Sequence, residues 1–190
     1  YGLGANALDP RAVARVFQIK QRPFFDPLIV HIGQRAWVER LARGVPPGAA
    51  ALMDAFWPGP LTVVLPKTPL VPDLVTSGLD TVALRVPAHD VALALLRKAG
   101  VPICAPSANP FGYVSPTRVE HVLEQLGDAL DCVLDGGPCA VGIESTIVSF
   151  AGERPCILRQ GGIAGEDLSA VLGEEVEEAA MGRSVLAPGM

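Results

Sequence analysis

Charged and hydroxyl side chains are concentrated next to short apolar runs of this 190-residue chain. The stretch KQRPFFDPLIVHI, residues 20–32, combines two phenylalanines and an aliphatic run with four ionisable residues: Lys20, Arg22, Asp26 and His31. Burying such charges costs free energy unless a partner compensates them. Each of these groups therefore needs a partner, either within the protein or in a ligand.

The same placement recurs along the chain. Polar residues flank or follow the runs VAL, ICAP, TIVSF and CIL, and they comprise Thr81, Arg85, Ser107, Asn109, Ser145, Thr146 and Arg159. Because ligands of open α/β sheets bind beyond strand ends, the pattern predicts one polar site built by several strands. An arginine within an aliphatic run needs a carboxylate or phosphate partner. Acidic residues are sparse near Arg85 and Arg159 in the sequence, so we expect a ligand to be that partner.

Some of these residues also have ordinary structural explanations. Lys20 closes a predicted helix, where a cation compensates the helix dipole. A histidine within a strand, such as His31, is more often a hydrogen-bonded core residue than a catalyst. Ser115 fits the N-cap of a helix with Pro116 in its first turn.

Familiar ligand-binding motifs do not occur in the sequence. It contains no GxxxxGK[ST] loop, no GxGxxG after a strand, and no readable Ser-His-Asp or Cys-His constellation. A bound nucleotide would then be held by basic side chains, hydroxyls and the N–H groups of the helix opening at Ser115. The four cysteines form no CxxC pair, so neither a structural metal nor a disulfide framework is expected, and the cytoplasm is the default compartment.

Hydrophobic periodicity predicts an α/β domain with a mixed sheet. Helices are expected within residues 8–23, 34–42, 47–56, 89–100, 115–127 and 165–173. Strands are expected within residues 27–32, 61–66, 81–87, 101–109, 132–135, 145–150 and 156–159. Strands and helices are interspersed, but the late strands follow one another directly, which favours a single domain with a mixed sheet flanked by helices.

The composition narrows the function classes. Hydrophobic residues make up 49% and charged residues 18%, which argues against disorder. No apolar run approaches the roughly 18 residues of a membrane span. Residues 1–165 carry 14 basic and 14 acidic residues, and the net charge of −5 comes from the acidic end around EEVEE. A neutral body argues against a general nucleic-acid coat.

Seven stretches together resemble the YrdC-like family, the threonylcarbamoyl-AMP synthases of tRNA modification. They occur in the order of that family and cover nearly the whole chain: YGLGANA, KQRPFFDPLIVHI, WPGPLTVVL, TVALRVP, APSANPFGYVSPT, GIESTIV and ILRQGG. The resemblance implies a twisted α/β domain around a concave, positively lined cavity. It also implies that L-threonine, bicarbonate and ATP, assisted by Mg2+, give threonylcarbamoyl-adenylate and pyrophosphate. A downstream tRNA threonylcarbamoyl transferase machinery would pass the carbamoyl group to adenosine 37 of tRNA, and contact with tRNA itself is a further expectation.

The resemblance also implies residue roles by position. Lys20 and Arg22 would hold the ATP phosphates and serve catalysis. The remaining nucleotide contacts would be Asp26, Thr81, Ser107, Asn109, Ser115 and Arg159. Threonine would be bound by His31, Arg85, Ala105 and Ser145, with Arg85 on its carboxylate and Ala105 acting through its backbone. No protein residue is assigned to a metal.

The sequence departs from the family pattern in three places. The PTETV stretch that precedes YGLG in the family is missing, and Gln160 and Ser149 replace the usual Pro and Asp. The ending APGM resembles the linker of two-domain members. We therefore expect a catalytic domain over residues 1–173, and an acidic stretch with the start of a linker to a further domain over residues 174–190.

Two other functions stay open at this point. A carbamoyl-adenylate-forming domain, as in hydrogenase maturation, would use carbamoyl phosphate in place of threonine and bicarbonate. A non-catalytic RNA-binding module would need no ATP, and its affinity would fall steeply with salt.

Overall fold

The computed structural model describes residues 1–179, which form one eight-stranded mixed sheet. The strands are β1 Ala5–Asn6, β2 Ile29–His31, β3 Leu61–Pro66, β4 Thr81–Arg85, β5 Ile103–Cys104, β6 Thr146–Ser149, β7 Cys156–Arg159 and β8 Glu177–Glu178. Their order across the sheet is β1-β5-β2-β4-β3-β6-β7-β8. The pairs β2–β4, β3–β6 and β7–β8 are parallel and the other pairs are antiparallel. This arrangement confirms the predicted α/β class and the mixed sheet.

Seven α-helices accompany the sheet within the described residues. They are α1 Pro10–Lys20, α2 Val38–Leu41, α3 Pro47–Phe56, α4 Asp73–Thr76, α5 Asp90–Ala99, α6 Val119–Leu126 and α7 Gly165–Leu172. Short 3-10 turns lie before α2 and after α6, at Arg35–Trp37 and Gly127–Ala129. None of the helices within residues 1–179 has the length and apolar composition of a membrane span.

The two faces of the sheet differ in what covers them. The larger hydrophobic cluster joins helix residues to alternate strand residues such as Val30, Leu84 and Val63. The smaller cluster is centred on buried strand residues alone: Ile29, Val64, Ala83 and Ile147. We call the face that carries this smaller cluster the open face. Since side chains alternate along a strand, every second residue of the central strands projects onto it.

Helix α1 places one charged residue in the interior. Asp9 caps the helix by accepting the N–H of Arg11 at 2.9 Å, and Pro10 occupies the first turn. Its buried stripe runs through Val13, Val16 and Phe17 and ends at Lys20, which is only 1% exposed. The predicted helix is confirmed, and its periodicity carries the Lys20 ammonium into the protein.

Three predicted elements differ from the structure. The helix expected from Ser115 begins only at Val119, and the N-cap position is Arg118, whose side chain makes no capping bond. The helix expected over 34–42 divides into a 3-10 turn and the four-residue α2. The strand expected over 132–135 does not form, and Cys132 is exposed where an apolar strand position was expected. There the Asp135 carboxylate accepts the Tyr1 hydroxyl at 2.9 Å, a contact between distant segments that local patterning does not encode.

The acidic end of the described chain adds an unpredicted strand. In β8, Glu177–Glu178 pair in parallel with β7, and their side chains stay exposed while Val176 is buried. The sheet thus continues past residue 173, where the sequence placed the end of the catalytic domain. That division of the chain stays a prediction, and the APGM ending lies outside the described residues.

Candidate active site

Strand alternation brings most of the predicted strand residues onto the open face. His31 pairs with Arg85 across the parallel β2–β4 ladder, in register with Ile29 and Ala83 of the apolar floor. Thr81 has the same parity as Arg85 but lies at the other end of β4, roughly 13 Å away at the usual rise per residue. The floor therefore has polar groups at both of its ends.

At one end lies the Lys20 region, which comprises Lys20, Arg22, Asp26, Ser107 and Asn109. The Lys20 ammonium donates hydrogen bonds to the backbone carbonyls of Ser107 and Asn109, and the Asn109 contact measures 2.5 Å. Burial and the neighbouring Arg22 lower the pKa of Lys20 to about 8, and the charges of Asp26 and Glu144 act in the opposite direction. The ammonium therefore ties the end of α1 to the loop after β5.

Arg22 and Asp26 form a pair within the same region. The guanidinium lies 2.8 Å from the Asp26 carboxylate, and both side chains are about nine-tenths buried. Arg22 also donates to the carbonyls of Asp26 at 3.2 Å and Pro27 at 2.9 Å. The burial that lowers the pKa of Arg22 is opposed by the Asp26 charge. The charges of KQRPFFD are thus compensated largely inside the protein.

The loop after β5 is held in place by the chain's first residues and by Asn109. Gly2 bridges to Ser107, and Ala105 donates its N–H to the Ile29 carbonyl at 3.1 Å. The Asn109 amide donates to the carbonyls of Pro110 and Tyr113, both at 2.8 Å. Asn109 therefore shapes the following loop with its side chain, while its own carbonyl receives Lys20.

At the other end lies the Arg85 region, which comprises His31, Arg85, Ser145, Arg159 and Glu144. Arg85 is half-buried, and within residues 1–179 the only hydrogen bond of its side chain runs from Nε to the Gly59 carbonyl at 2.9 Å. Burial lowers the pKa of Arg85, an effect that Glu144 opposes and Arg159 reinforces. The terminal nitrogens of this guanidinium make no hydrogen bond within the described part of the chain.

Arg159 and Ser145 meet directly. Arg159 donates from Nε and Nη2 to the Ser145 carbonyl at 3.2 and 2.9 Å, and from Nη2 to the Ser145 hydroxyl at 3.1 Å. The Ser145 hydroxyl also lies 2.8 Å from the hydroxyl of the buried Thr62. Ser145 is therefore fixed from both sides, by Thr62 of β3 and by the end of β7.

His31 is neutral at physiological pH. Burial, and then the charge of Arg85, lower the pKa of His31 to about 3. Its Nδ1 atom is buried without a hydrogen-bond partner within residues 1–179. The neutral imidazole therefore adds no charge beside Arg85.

Ser115 lies at the opening of the site rather than on a helix cap. Its hydroxyl donates to the Glu144 carboxylate at 2.6 Å. Together with Arg159 they line an open cavity of about 420 Å3, whose other walls are Val114, Thr117, Gly142, Ile143 and Gln160. The cavity therefore joins the loop before α6 to the end of β7.

Two residues of this site were missed by sequence reasoning. Glu144 lies within GIESTIV and Thr62 within WPGPLTVVL, yet neither was singled out. Acidic residues were described as sparse near Arg85 and Arg159 in the sequence, but in the structure the charge of Glu144 acts on both. The strand parity of Thr62, which matches that of Val64 on the floor, was a signal that could have found it.

Gly161 allows the turn after β7 to approach the start of β6 closely. A Cβ added to Gly161 would lie 2.4 Å from the Glu144 carbonyl oxygen and 2.5 Å from the Ser145 carbonyl carbon. Only glycine therefore lets the turn after β7 pass so close to the start of β6.

The chain is similar in sequence to known proteins of one family. The family model Sua5_yciO_yrdC, described as "Telomere recombination", matches residues 1–161. The chain is 48% identical to the threonylcarbamoyl-AMP synthase of Pyrococcus abyssi, covering 100% of this chain and 57% of that protein. It is also 48% identical to the protein of that name from Bacillus subtilis, covering 91% of this chain and 50% of the relative. The chain thus spans about half the length of the curated relatives it matches.

A solved structure extends the comparison to the backbone. The crystal structure of P. abyssi Sua5 complexed with L-threonine superposes with a TM-score of 0.96 at 46% identity, covering 100% of this chain and 57% of that one. The eight-stranded sheet and the placement of its helices are therefore shared with a protein that was crystallised with an amino acid.

Proposed function

Because the chain belongs to the Sua5/YciO/YrdC family, we propose that it is the catalytic domain of an L-threonylcarbamoyladenylate synthase. The reactants are L-threonine, bicarbonate and ATP, and the products are threonylcarbamoyl-AMP and pyrophosphate. The product serves the formation of threonylcarbamoyladenosine at position 37 of tRNA, through a downstream transferase machinery in the cytoplasm. The predicted family is confirmed, whereas the activity of this chain is our proposal.

One observation carries the proposal: four cationic side chains lie around a single apolar floor, and the terminal nitrogens of one of them, Arg85, make no hydrogen bond within residues 1–179. Lys20 and Arg22 lie at one end, and Arg85 and Arg159 at the other. A polyanionic nucleotide and the carboxylate of an amino acid both suit such a surface.

We assign the subsites as follows. Threonine lies against Arg85, with its carboxylate on the terminal guanidinium nitrogens and its side chain near His31, Ala105 and Ser145. The nucleotide occupies the remaining surface, with its phosphates near Lys20 and Arg22. Its other contacts are Asp26, Thr81, Ser107, Asn109, Ser115 and Arg159.

The chemistry needs placement and charge compensation rather than a covalent nucleophile. The threonine ammonium first loses a proton, which bicarbonate takes up as it breaks down to CO2 and water. The neutral amine nitrogen then forms a bond to the carbon of CO2 and releases a second proton to solvent, which gives a carbamate. A carbamate oxygen then bonds to the α-phosphorus while the bond to the bridging oxygen breaks, and pyrophosphate leaves with that electron pair. Lys20, Arg22 and Arg159 stabilise the negative charge that develops on the phosphates.

Mg2+ is part of this proposal as the partner of ATP. Within residues 1–179 no group of three or more His, Cys, Asp or Glu side chains could hold a metal ion. Mg2+ would therefore be bound mainly by the phosphates and by water, and Asp26 or Glu144 would add at most one carboxylate ligand. Such an ion would offset phosphate charge.

Release of pyrophosphate tests the proposal. The complete gene product that contains these residues should release pyrophosphate only when ATP, L-threonine and bicarbonate are all present. Carbamoyl phosphate should not replace threonine and bicarbonate. Equal release without threonine, or release supported by carbamoyl phosphate, would contradict the proposed reaction.

A further inference from the structure

Glu144 is an unusual group in a site that binds anions. Its carboxylate lines the cavity beside Arg159 and accepts the Ser115 hydroxyl at 2.6 Å. None of the ion pairs within residues 1–179 includes Glu144. It is exposed, yet its charge acts on Lys20, Arg85 and Arg159. A carboxylate in this position would repel phosphates, so its presence calls for a cationic ligand group.

The backbone places Glu144 next to the proposed threonine subsite. It directly precedes Ser145, whose hydroxyl joins Thr62 and Arg159. The nearby turn is fixed by the hydrogen bond from the Gly162 N–H to the Glu144 carbonyl at 3.0 Å. Glu144 therefore stands where the Arg85 region meets the cavity shared with Ser115.

An α-amino acid carries an ammonium group one bond away from the carbon that bears its carboxylate. A site that grips the carboxylate with Arg85 gains selectivity if an anion receives the ammonium. The same nitrogen must lie at the junction of the two subsites, because once it has lost a proton to solvent it acquires the carboxyl group that attacks the α-phosphorus. Among the carboxylates within residues 1–179 that act on the site's cations, Asp26 is paired with Arg22, which leaves Glu144 for this role.

We propose that Glu144 binds the α-ammonium group of the amino acid substrate and thereby positions the reacting nitrogen. This inference rests on the proposed function, since it assumes an amino acid beside Arg85. It makes Glu144 a determinant of specificity for zwitterions over simple carboxylates. The hydrogen bond from Ser115 holds the carboxylate in place until the ligand arrives.

Binding of Mg2+ is the competing role for this carboxylate. Within the described residues, Glu144 belongs to no group of three or more His, Cys, Asp or Glu side chains that could hold a metal ion. We therefore make a changed Mg2+ requirement an outcome of the test.

A binding cycle with two ligands tests the role directly. The ligands are L-threonine and D-β-hydroxybutyrate, which has the same carboxylate and hydroxyl but no ammonium. Affinities are measured by calorimetry on the complete gene product, with a non-hydrolysable ATP analogue present. The unmodified protein should prefer threonine by about 30-fold, the ratio expected for one charge-assisted hydrogen bond. Glu144→Gln should reduce this preference to a few-fold, mainly by weakening threonine binding.

Matched variants keep the result interpretable. Glu153→Gln makes the same chemical change at an exposed position outside the cavity and should leave the preference unchanged. Glu144→Asp keeps the charge and should retain part of the preference. If Glu144→Gln fails to fold, the Glu144→Asp comparison decides, and an unchanged preference in that variant contradicts the inference.

The two proposals fail in different ways. If the unmodified protein neither binds threonine nor releases pyrophosphate, the proposed function is wrong. If the unmodified protein binds threonine but Glu144→Gln keeps the full preference over hydroxybutyrate, only the role of Glu144 is wrong. A raised Mg2+ requirement in Glu144→Gln, with the ligand preference intact, likewise overturns the inference and favours the metal role.

Discussion

The Lys20 region and the Arg85 region lie on the same sheet, but their cations are compensated in different ways. Lys20 donates to two backbone carbonyls, and Arg22 pairs with the buried Asp26. Arg85 donates one hydrogen bond, from Nε to the Gly59 carbonyl, and the negative charge of Glu144 acts on its guanidinium. In the first region the charges also hold the fold together. In the second, we expect that the charge of Arg85 can be altered with little loss of structure, because its side chain makes a single hydrogen bond within residues 1–179.

The largest expected effect is that of Lys20→Met on stability. The change leaves the carbonyls of Ser107 and Asn109 without their donor at a position that is 1% exposed. We expect a loss of about 3 kcal/mol in the free energy of unfolding, measured by urea denaturation. Binding of an ATP analogue should weaken as well. Unchanged stability would show that Lys20 does not stabilise the fold, and the contrast drawn between the two regions would then be wrong.

Arg85→Lys should separate function from stability. Lysine keeps the charge but loses the planar fork that grips a carboxylate with two bonds. We expect the KM for threonine to rise about 50-fold, while the free energy of unfolding changes by less than about 1 kcal/mol. Steady-state kinetics with each substrate varied in turn provides the measurement. An equal rise in the KM for ATP would argue against the threonine assignment.

Ser145→Ala should have an intermediate effect. It removes the hydroxyl that contacts both Thr62 and Arg159 and leaves the Thr62 hydroxyl unpaired in the interior. We expect about a tenfold loss in kcat/KM for threonine, equivalent to one hydrogen bond. Ser149→Ala, at the far end of the same strand, is the matched control and should change activity little. Similar losses in both variants would indicate a general effect on β6.

The smallest effect expected is a difference in pH dependence between the two regions. Lys20 loses its charge as the pH rises through about 8, so affinity for an ATP analogue should fall above that pH. His31, with a pKa near 3, stays neutral, so it contributes no change in threonine affinity between about pH 5 and 8. Because the native pKa of Lys20 lies below its ordinary value, its contribution to stability should rise from about pH 8 to 10. A titration of threonine affinity centred near pH 6.5 would contradict the account of His31.

Much of the sheet could be predicted from the sequence because its central strands are short apolar runs bounded by turn residues. The runs LTVVLP and TVALR form β3 and β4 as expected, and α1 follows its capping and spacing signals. The two-residue strands β1 and β8 carry too little pattern to be recognised. The prediction that a helix begins at Ser115 was wrong. The Ser115 hydroxyl bonds to Glu144, which lies 29 residues away in sequence.

The candidate site was predictable in its composition but not in its internal bonding. Strand-end polarity identified Arg85, Ser145 and Arg159, which the structure brings together on the open face. The pairing of Arg22 with Asp26 and the burial of Lys20 depend on how the 107–109 loop folds against α1. Such contacts span up to 89 residues, beyond the reach of local spacing.

A crystal structure of the complete gene product with L-threonine and a non-hydrolysable ATP analogue tests the central claim most directly. We predict both ligands on the open face, with the threonine carboxylate within hydrogen-bonding distance of Arg85 and the phosphates nearest Lys20 and Arg22. Threonine bound away from Arg85, or a nucleotide seated on the helix-covered side of the sheet, would contradict the account.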